Sequence, residues 1–253
     1  MAYPATFGAD HGTVAVKRLI VALGFLTRLP VPHVAADAGD FANAIRLYPL
    51  IGLLIGGLVA AAGMIGAWFD PWIGALIALL AWVWVTGALH LDGLGDLADG
   101  LGAAHGDRDR LLAVMADPHI GSFGVVAIVL QLLAKLVLLH VVLPGHWLTL
   151  LFVPAVARLA PLIWARALPP LKPNGLGASI TGATRGQDMG GWLLLLFGVA
   201  IAAPALLAGP LLIGALYVVF KRRLGGVSGD VHGAGIELVE SGLLLVLAMV
   251  ATR

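Results

Sequence analysis

The sequence predicts an all-α fold, a polytopic bundle of membrane-spanning helices forming a single domain over residues 1–253. Three observations carry this expectation. Of the 253 residues, 60% are hydrophobic and 11% charged, and the mean hydropathy is +0.99. A soluble domain carries about 25% charged residues, so this chain has too few polar groups to cover a water-soluble globule. Apolar runs near or above the roughly 18–20 residues needed to cross a bilayer recur along it. Lys and Arg collect on alternate connections, as the positive-inside bias of membrane proteins requires. The absence of cysteine excludes disulfides, thiolate catalysis and Cys-held metals. The near balance of 15 Lys+Arg and 14 Asp+Glu argues against a nucleic-acid partner.

Taken in order, Met1 to Thr13 is polar, and Lys17, Arg18 and Arg28 then flank a short apolar stretch. No small-residue cleavage site follows it, so an interfacial or re-entrant helix is expected here rather than a signal peptide. Leu47 to Phe69 is long enough to span, Asp70-Pro71 breaks it, and Trp72 to Leu91 spans back, making a hairpin. The polar segment Asp92 to Ser122 holds six of the fourteen acids. Phe123 to Leu143 spans, Pro144-Gly145-His146 turns, and Leu148 to Ala167 returns, with Trp147 and Trp164 as interfacial anchors. A second polar loop covers Leu168 to Gly190. Trp192 to Phe220 is too long for one upright helix and is expected to divide at Gly209-Pro210. After a third polar segment, Lys221 to Gly235, the span Ile236 to Val250 closes the chain.

That makes about seven apolar segments. The turns at Asp70, Pro144 and Gly209 contain no Lys or Arg, whereas Arg46, Arg108, Arg110, Lys172, Arg185, Lys221, Arg222 and Arg223 all fall on the opposite side. The N-terminus and the three polar loops are therefore expected to be cytoplasmic. No internal repeat appears, which weighs against a transporter built from inverted halves.

The few charges are the informative residues. In His90-Leu91-Asp92-Gly93-Leu94-Gly95-Asp96-Leu97-Ala98-Asp99-Gly100, three carboxylates stand at i, i+4 and i+7, within an arc of roughly 60° if the stretch is helical. Like charges so close repel unless a cation sits among them. Oxygen ligands without Cys suit Mg²⁺, which takes a few carboxylates together with waters and substrate phosphates. Asp107 and Asp109 alternate with Arg108 and Arg110 and read as a solvated helix start. Asp117 precedes Pro118, and Gly121 and Gly124 allow a close backbone approach where a helix start would aim N–H groups at an anion.

Farther on, Gly225-Gly226-Val227-Ser228-Gly229-Asp230 leads into a helix carrying Glu237 and Glu240. A glycine-rich turn with Gly226 and Gly229 before a helix suits phosphate, and Asp230 suits a metal bridging to it. Glu237 and Glu240 lie in the first turns of the last span, where a charge calls for a functional reason or an ion-pair partner such as Arg158 or Arg166. Lys135 and Arg158 are intramembrane cations, placed either to hold a pyrophosphate or to pair with buried acids. His90 would point away from the Asp92 face of a helix, in a supporting or packing role. Together these residues suit transfer of a substituted phosphate at a Mg²⁺ site on the membrane edge.

At these motifs the chain resembles the cobalamin synthase family, the adenosylcobinamide-GDP ribazoletransferases. The likeness runs through Phe25-Leu26-Thr27-Arg28-Leu29-Pro30-Val31-Pro32, Arg46-Leu47-Tyr48-Pro49-Leu50-Ile51-Gly52, His90 to Gly100, Met115 to Gly124 and Gly225 to Glu240. Gly95, Leu97 and Ser228 depart from the common pattern, and none removes a carboxylate. The resemblance implies an inner-membrane enzyme, its active site cytoplasmic, that joins adenosylcobinamide-GDP to α-ribazole or its 5′-phosphate, releases GMP and uses Mg²⁺. It also admits self-association or contact with other cobalamin-assembly enzymes.

On those terms Asp92, Asp96 and Asp99 would hold the metal on the pyrophosphate, with Asp117 or Asp230 completing a second site. The ribazole 3′-hydroxyl would attack with one carboxylate as base, and Arg158, Lys172 or Arg185 would steady the GMP. Two rivals remain. A CDP-alcohol phosphotransferase also clusters Asp, but its D-x₂-D-G-x₂-A-R opening fails here, since Asp96-x₂-Asp99-Gly100 is followed by Ala103-Ala104. A non-enzymatic ion-coupled transporter is the other, although its acids belong at mid-membrane.

Overall fold

The computed structural model describes residues 11–172 and 176–252; the polar segment before His11 and residues 173–175 lie outside them. Among the described residues the fold is all-helical. The helices are α1 His11–Leu26, α2 Ala38–Ala44, α3 Tyr48–Ala67, α4 Pro71–Thr86, α5 Leu89–Ala104, α6 Arg108–Val114, α7 Ser122–Leu150, α8 Val153–Ala157, α9 Leu159–Ala167, α10 Leu176–Ile180, α11 Gly186–Ala200, α12 Ala208–Arg223 and α13 Gly229–Ala251. Their apolar stretches are too long and too continuous to be anything but bilayer segments. Four helical stretches are individually long and apolar enough to cross, Ala38–Ala67, Ser122–Leu150, Pro204–Arg223 and Gly229–Ala251. α4 and α5, bent by 85°, reach that length and hydropathy only when taken together, as a broken span or a re-entrant loop. α8, α9 and α11 are shorter helices.

The expected hairpin of α3 and α4 is present, opened by Asp70, whose carboxylate accepts from the N–H groups of Trp72 and Ile73 to cap α4. The second limb ends five residues short of the expected Leu91. At that point Gly87 and Ala88 both take left-handed backbone angles, φ 60° and 59°, and the chain swings sideways. A side chain at Gly87 would also collide with Arg28. The bend turns the acid-bearing helix α5 across the bundle instead of along it. α5 passes over the start of α13 at Gly93 and over the start of α7 at Asp99, so both long helices direct their N-termini at it.

The middle of the chain keeps the expected order with one change of detail. Helix α7 breaks at His146, φ −130°, within the expected Pro144-Gly145-His146 turn, and the chain then doubles back, so that Leu151 meets Gly56 of α3. The long stretch after Trp192 breaks at residues 201–203, not at Gly209-Pro210. Pro210 is tolerated within the first turn of α12, where no intrahelical N–H bond is lost. Arg46 donates to the Ala183 carbonyl at 2.8 Å and pairs with Asp188 at 3.2 Å, tying the start of α11 to the start of α3.

Helix α13 is the axis of the bundle, with Val239, Leu243 and Leu244 fully buried. It also carries charge into the interior. Glu240 pairs with Arg158 at 2.8 Å and with Lys135 at 2.6 Å, and Lys135 reaches Glu237 at 2.7 Å. Gln131 donates to Glu237 at 2.8 Å, and the Lys135 ammonium lies 4.3 Å from the centre of the Trp82 ring. Two cations and two anions balance, which is the condition under which charges persist in a membrane interior. Of the roles open to Lys135 and Arg158, the structure shows pairing with buried acids. Arg166 takes no part, donating instead to the Thr184 carbonyl.

Candidate functional site

The site is the crossing of α5 over α13. Gly93 sits against the α13 backbone, where an added Cβ would stand 2.6 Å from the Asp230 carbonyl oxygen. Glycine at the crossing lets the two helices touch backbone to backbone and draws the carboxylates of both into one region. Asp92 and Asp96 lie on the same face of α5, as their spacing predicts, and Asp230 stands in the first turn of α13. Ser228 caps α13, accepting from the Val231 N–H at 3.3 Å and donating to Asp230 Oδ2 at 3.3 Å.

Partial burial, then the negative charges of Asp92, Asp230 and Asp99, push the Asp96 carboxyl up to about 6, against an opposing pull from Lys172. The acid group thus carries excess negative charge, with one nearby cation from the second polar loop. Among the described residues, no three His, Asp or Glu side chains stand close enough together to enclose a metal ion unaided. Asp92, Asp96 and Asp230 are the residues that could hold a cation, one or two at a time, with water or phosphate in its remaining positions.

Asp99 has a different environment from its two helix-mates. It is buried, and its carboxylate accepts from Gly121 N–H at 2.7 Å and Gly124 N–H at 2.9 Å, at the start of α7. An added Cβ at either glycine would collide with that carboxylate. The N–H groups of Gly121 and Gly124 do face an anion, and in this structure that anion is the Asp99 carboxylate. In turn, both Asp99 oxygens are already engaged by α7.

Other residues offered by the sequence stand elsewhere. Asp117 is exposed, accepts from the His119 N–H at 2.9 Å and pairs with the His119 ring; its carboxyl is held below the ordinary range by those bonds, and its charge is not among those that reach Asp96. Arg158 and Glu237 are sealed inside the bundle in the ion cluster, which removes them from direct contact with a substrate at the surface. Gly226 packs against the Pro169 carbonyl, where Val227 pairs with Pro170 in a short bridge. Arg185 is exposed at the start of α11, and its N–H donates to Asp188. Gly229 and Asp230 do lie at the site.

The cavity beside Asp92 and Asp230 was not foreseen. It has a volume of about 110 Å³ and runs between α13 and the first helices, with Phe25, Phe41 and Tyr48 on one side and Gly229, Gly233 and Ile236 on the other. His90 and His232 complete its wall. His90 and Asp92 both line this space, and His90 is buried with Nδ1 3.4 Å from Arg158, the supporting position expected of it. The sequence signal was present in the aromatic residues of the first two motifs, but nothing local tied them to Asp230.

A family model described as cobalamin-5-phosphate synthase matches residues 18–248. Among similar chains, the adenosylcobinamide-GDP ribazoletransferase of Novosphingobium aromaticivorans is 53% identical over 92% of this chain and 97% of its own length. Those of Laribacter hongkongensis and Thiobacillus denitrificans are 52% and 47% identical, over 94% and 91% of this chain and 98% and 94% of theirs. No solved structure matches the chain.

Proposed function

Since the chain belongs to the cobalamin-5-phosphate synthase family, we propose that the α5–α13 crossing is where it joins adenosylcobinamide-GDP to α-ribazole, or to its 5′-phosphate, with release of GMP. The observation that carries the assignment is the convergence of Asp92, Asp96 and Asp230 at one membrane face, with Asp96 pushed up to about 6. Such a concentration of carboxylate is unfavourable alone and is relieved by a divalent cation.

One or two of Asp92, Asp96 and Asp230 would hold Mg²⁺, which when bound would neutralise the diphosphate of the corrinoid substrate. The chain's own residues supply the rest. Lys172, whose charge reaches Asp96, is placed to offset the phosphates. Asp92 and Asp230, in the cavity wall, are positioned to orient the ribazole hydroxyl and to take its proton as its oxygen attacks the corrinoid-linked phosphorus. The bond from that phosphorus to the bridging oxygen breaks, and GMP leaves. Asp99 holds α5 on the end of α7 and so fixes where Asp92 and Asp96 stand.

Lys172 acts on Asp96, Arg108 lies against Gly225 ahead of α13, and Lys221, Arg222 and Arg223 end α12 just before it. This supports placing the site on the cytoplasmic side of the inner membrane. The reading is tested with purified protein in lipid, following GMP release from adenosylcobinamide-GDP and α-ribazole. Release should require Mg²⁺, and Asp96→Asn should abolish it while membrane insertion persists. Wild-type turnover unaffected by chelator, or full activity in Asp96→Asn, would remove the metal assignment.

A further inference from the structure

The charges sealed inside the bundle need a reason, and stability does not supply one. Lys135, Arg158, Glu237 and Glu240 are all buried, and each has an opposite charge within 2.8 Å. Desolvating such a set costs so much that apolar side chains of similar size commonly leave a protein as stable or more so. What paired charges add is direction, because they meet in one rotation and register of their helices and are left unpaired in the others. The helices concerned carry the site. On α13, Glu237 follows Asp230 by seven residues, so the two carboxylates share a face, about 20° apart. On α7, Gly124, Gln131 and Lys135 likewise share a face within about 40°. Gly124 meets Asp99 of α5, while Gln131 and Lys135 reach Glu237. Turning Glu237 toward Lys135 therefore turns Asp230 toward α5.

We propose that Lys135, Arg158, Glu237 and Glu240 are positioning residues for the transfer reaction: their pairing sets the rotation of α7 and α13 and so aims Asp230 at Asp92 and Asp96. None of the four reaches the surface where a substrate would sit. The inference rests on the reading of those three carboxylates as the phosphate-transfer site. Arg158 ties the cluster to α5 as well. Its Nη1 donates to Glu240 at 2.8 Å and to the Pro154 carbonyl at 2.9 Å, and its Nη2 lies 3.4 Å from Nδ1 of His90, in the same turn as Asp92. Gly93 against Asp230 and Gly233 against His90 hold the crossing itself, where an added Cβ would stand 2.6 and 3.3 Å from the facing backbone. A close crossing without side chains between the helices leaves little to stop α13 turning, and the charges beneath it supply the stop. Turning α13 by about 30° would carry a carboxylate about 3 Å sideways. A cation that demands oxygens at about 2.0–2.1 Å in near-octahedral array does not tolerate such a shift.

The test separates rotation from stability in the full chain in lipid nanodiscs. Because the chain has no cysteine, Leu101→Cys on α5 and Leu238→Cys on α13, both exposed, can carry a pair of spin labels whose separation is read by electron resonance in EDTA. Lys135→Met, Arg158→Met, Glu237→Gln and Glu240→Met are then combined, which removes the charges and keeps a partner for Gln131. The combined variant should melt in EDTA at or above the wild-type temperature, as apolar replacements of buried ion sets commonly do. Its kcat for GMP release, per folded molecule, should nevertheless fall at least tenfold, and the label separation should shift or broaden by about 3 Å. If the combined variant does not fold, Arg158→Met with Glu240→Gln, which keeps the pair of Lys135 and Glu237, reads the same quantities, with kcat down at least threefold. A kcat within twofold of wild type, or a loss of kcat with the label separation unchanged, would overturn the proposal. Wild type without any Mg²⁺-dependent GMP release would instead remove the underlying reading of the carboxylates, and the label separations alone would decide whether the charges set the rotation of α13.

Discussion

Asp99→Ala separates a structural carboxylate from a metal-binding one. In the structure Asp99 joins α5 to the N-terminus of α7 through two N–H bonds of 2.7 and 2.9 Å. Hydrogen bonds to a charged group contribute about 1.5–3 kcal/mol each, and an anion at a helix N-terminus adds about 0.3–1 kcal/mol. One carboxylate makes all of these contacts, so they overlap, and the expected loss is about 3–5 kcal/mol. At roughly 2–4 °C per kcal/mol for a chain of this size, the melting temperature should fall by about 10 °C. Tryptophan emission during heating, in lipid nanodiscs, reports it. The decisive comparison is with and without Mg²⁺. A carboxylate that holds α5 on α7 is missed equally in EDTA, whereas a metal ligand is missed only when metal is present. Melting within about 2 °C of wild type in EDTA, together with loss of Mg²⁺-induced stabilisation, would refute the structural role.

Two further expectations follow from the same charges. Between pH 3.8, the ordinary value for Asp96, and about 6, its value in the fold, the folded chain retains a proton that the unfolded chain has released. Metal-free stability should therefore fall as pH rises across that window, and Asp96→Asn should flatten the slope; denaturant melts at pH 4, 5 and 6 check the sign. Glu240→Gln leaves Lys135 and Arg158 sharing one acid and should cost about 3–5 kcal/mol, whereas adding Arg158→Met restores the balance of Lys135 with Glu237 and should recover part of it. Additive losses in the melting temperature of the double variant would show that the two residues do not act as a pair.

The sequence by itself determined the class of structure, the order of its apolar segments and the nature of its chemistry. Hydropathy over some twenty residues and the distribution of Lys and Arg are properties of the chain that a bilayer reads directly. The i, i+4, i+7 spacing likewise sets Asp92, Asp96 and Asp99 on one helical face. Spacing along a helix does not say what faces it. Only the tertiary structure separated Asp99, engaged by Gly121 and Gly124, from Asp92 and Asp96, and only it brought Asp230 across some 130 residues to join them. It also resolved the buried charges, since Arg158 and Glu237 sit in a cluster completed by Lys135 and Glu240 from other helices. The break after Trp192 falls at residues 201–203 instead of Gly209-Pro210 because a proline is a stop signal only beyond the first helical turn. Two left-handed residues, Gly87 and Ala88, turn the acid-bearing helix sideways. That turn sets the carboxylates and the two histidines around one cavity, because it decides which side chains meet where helices cross.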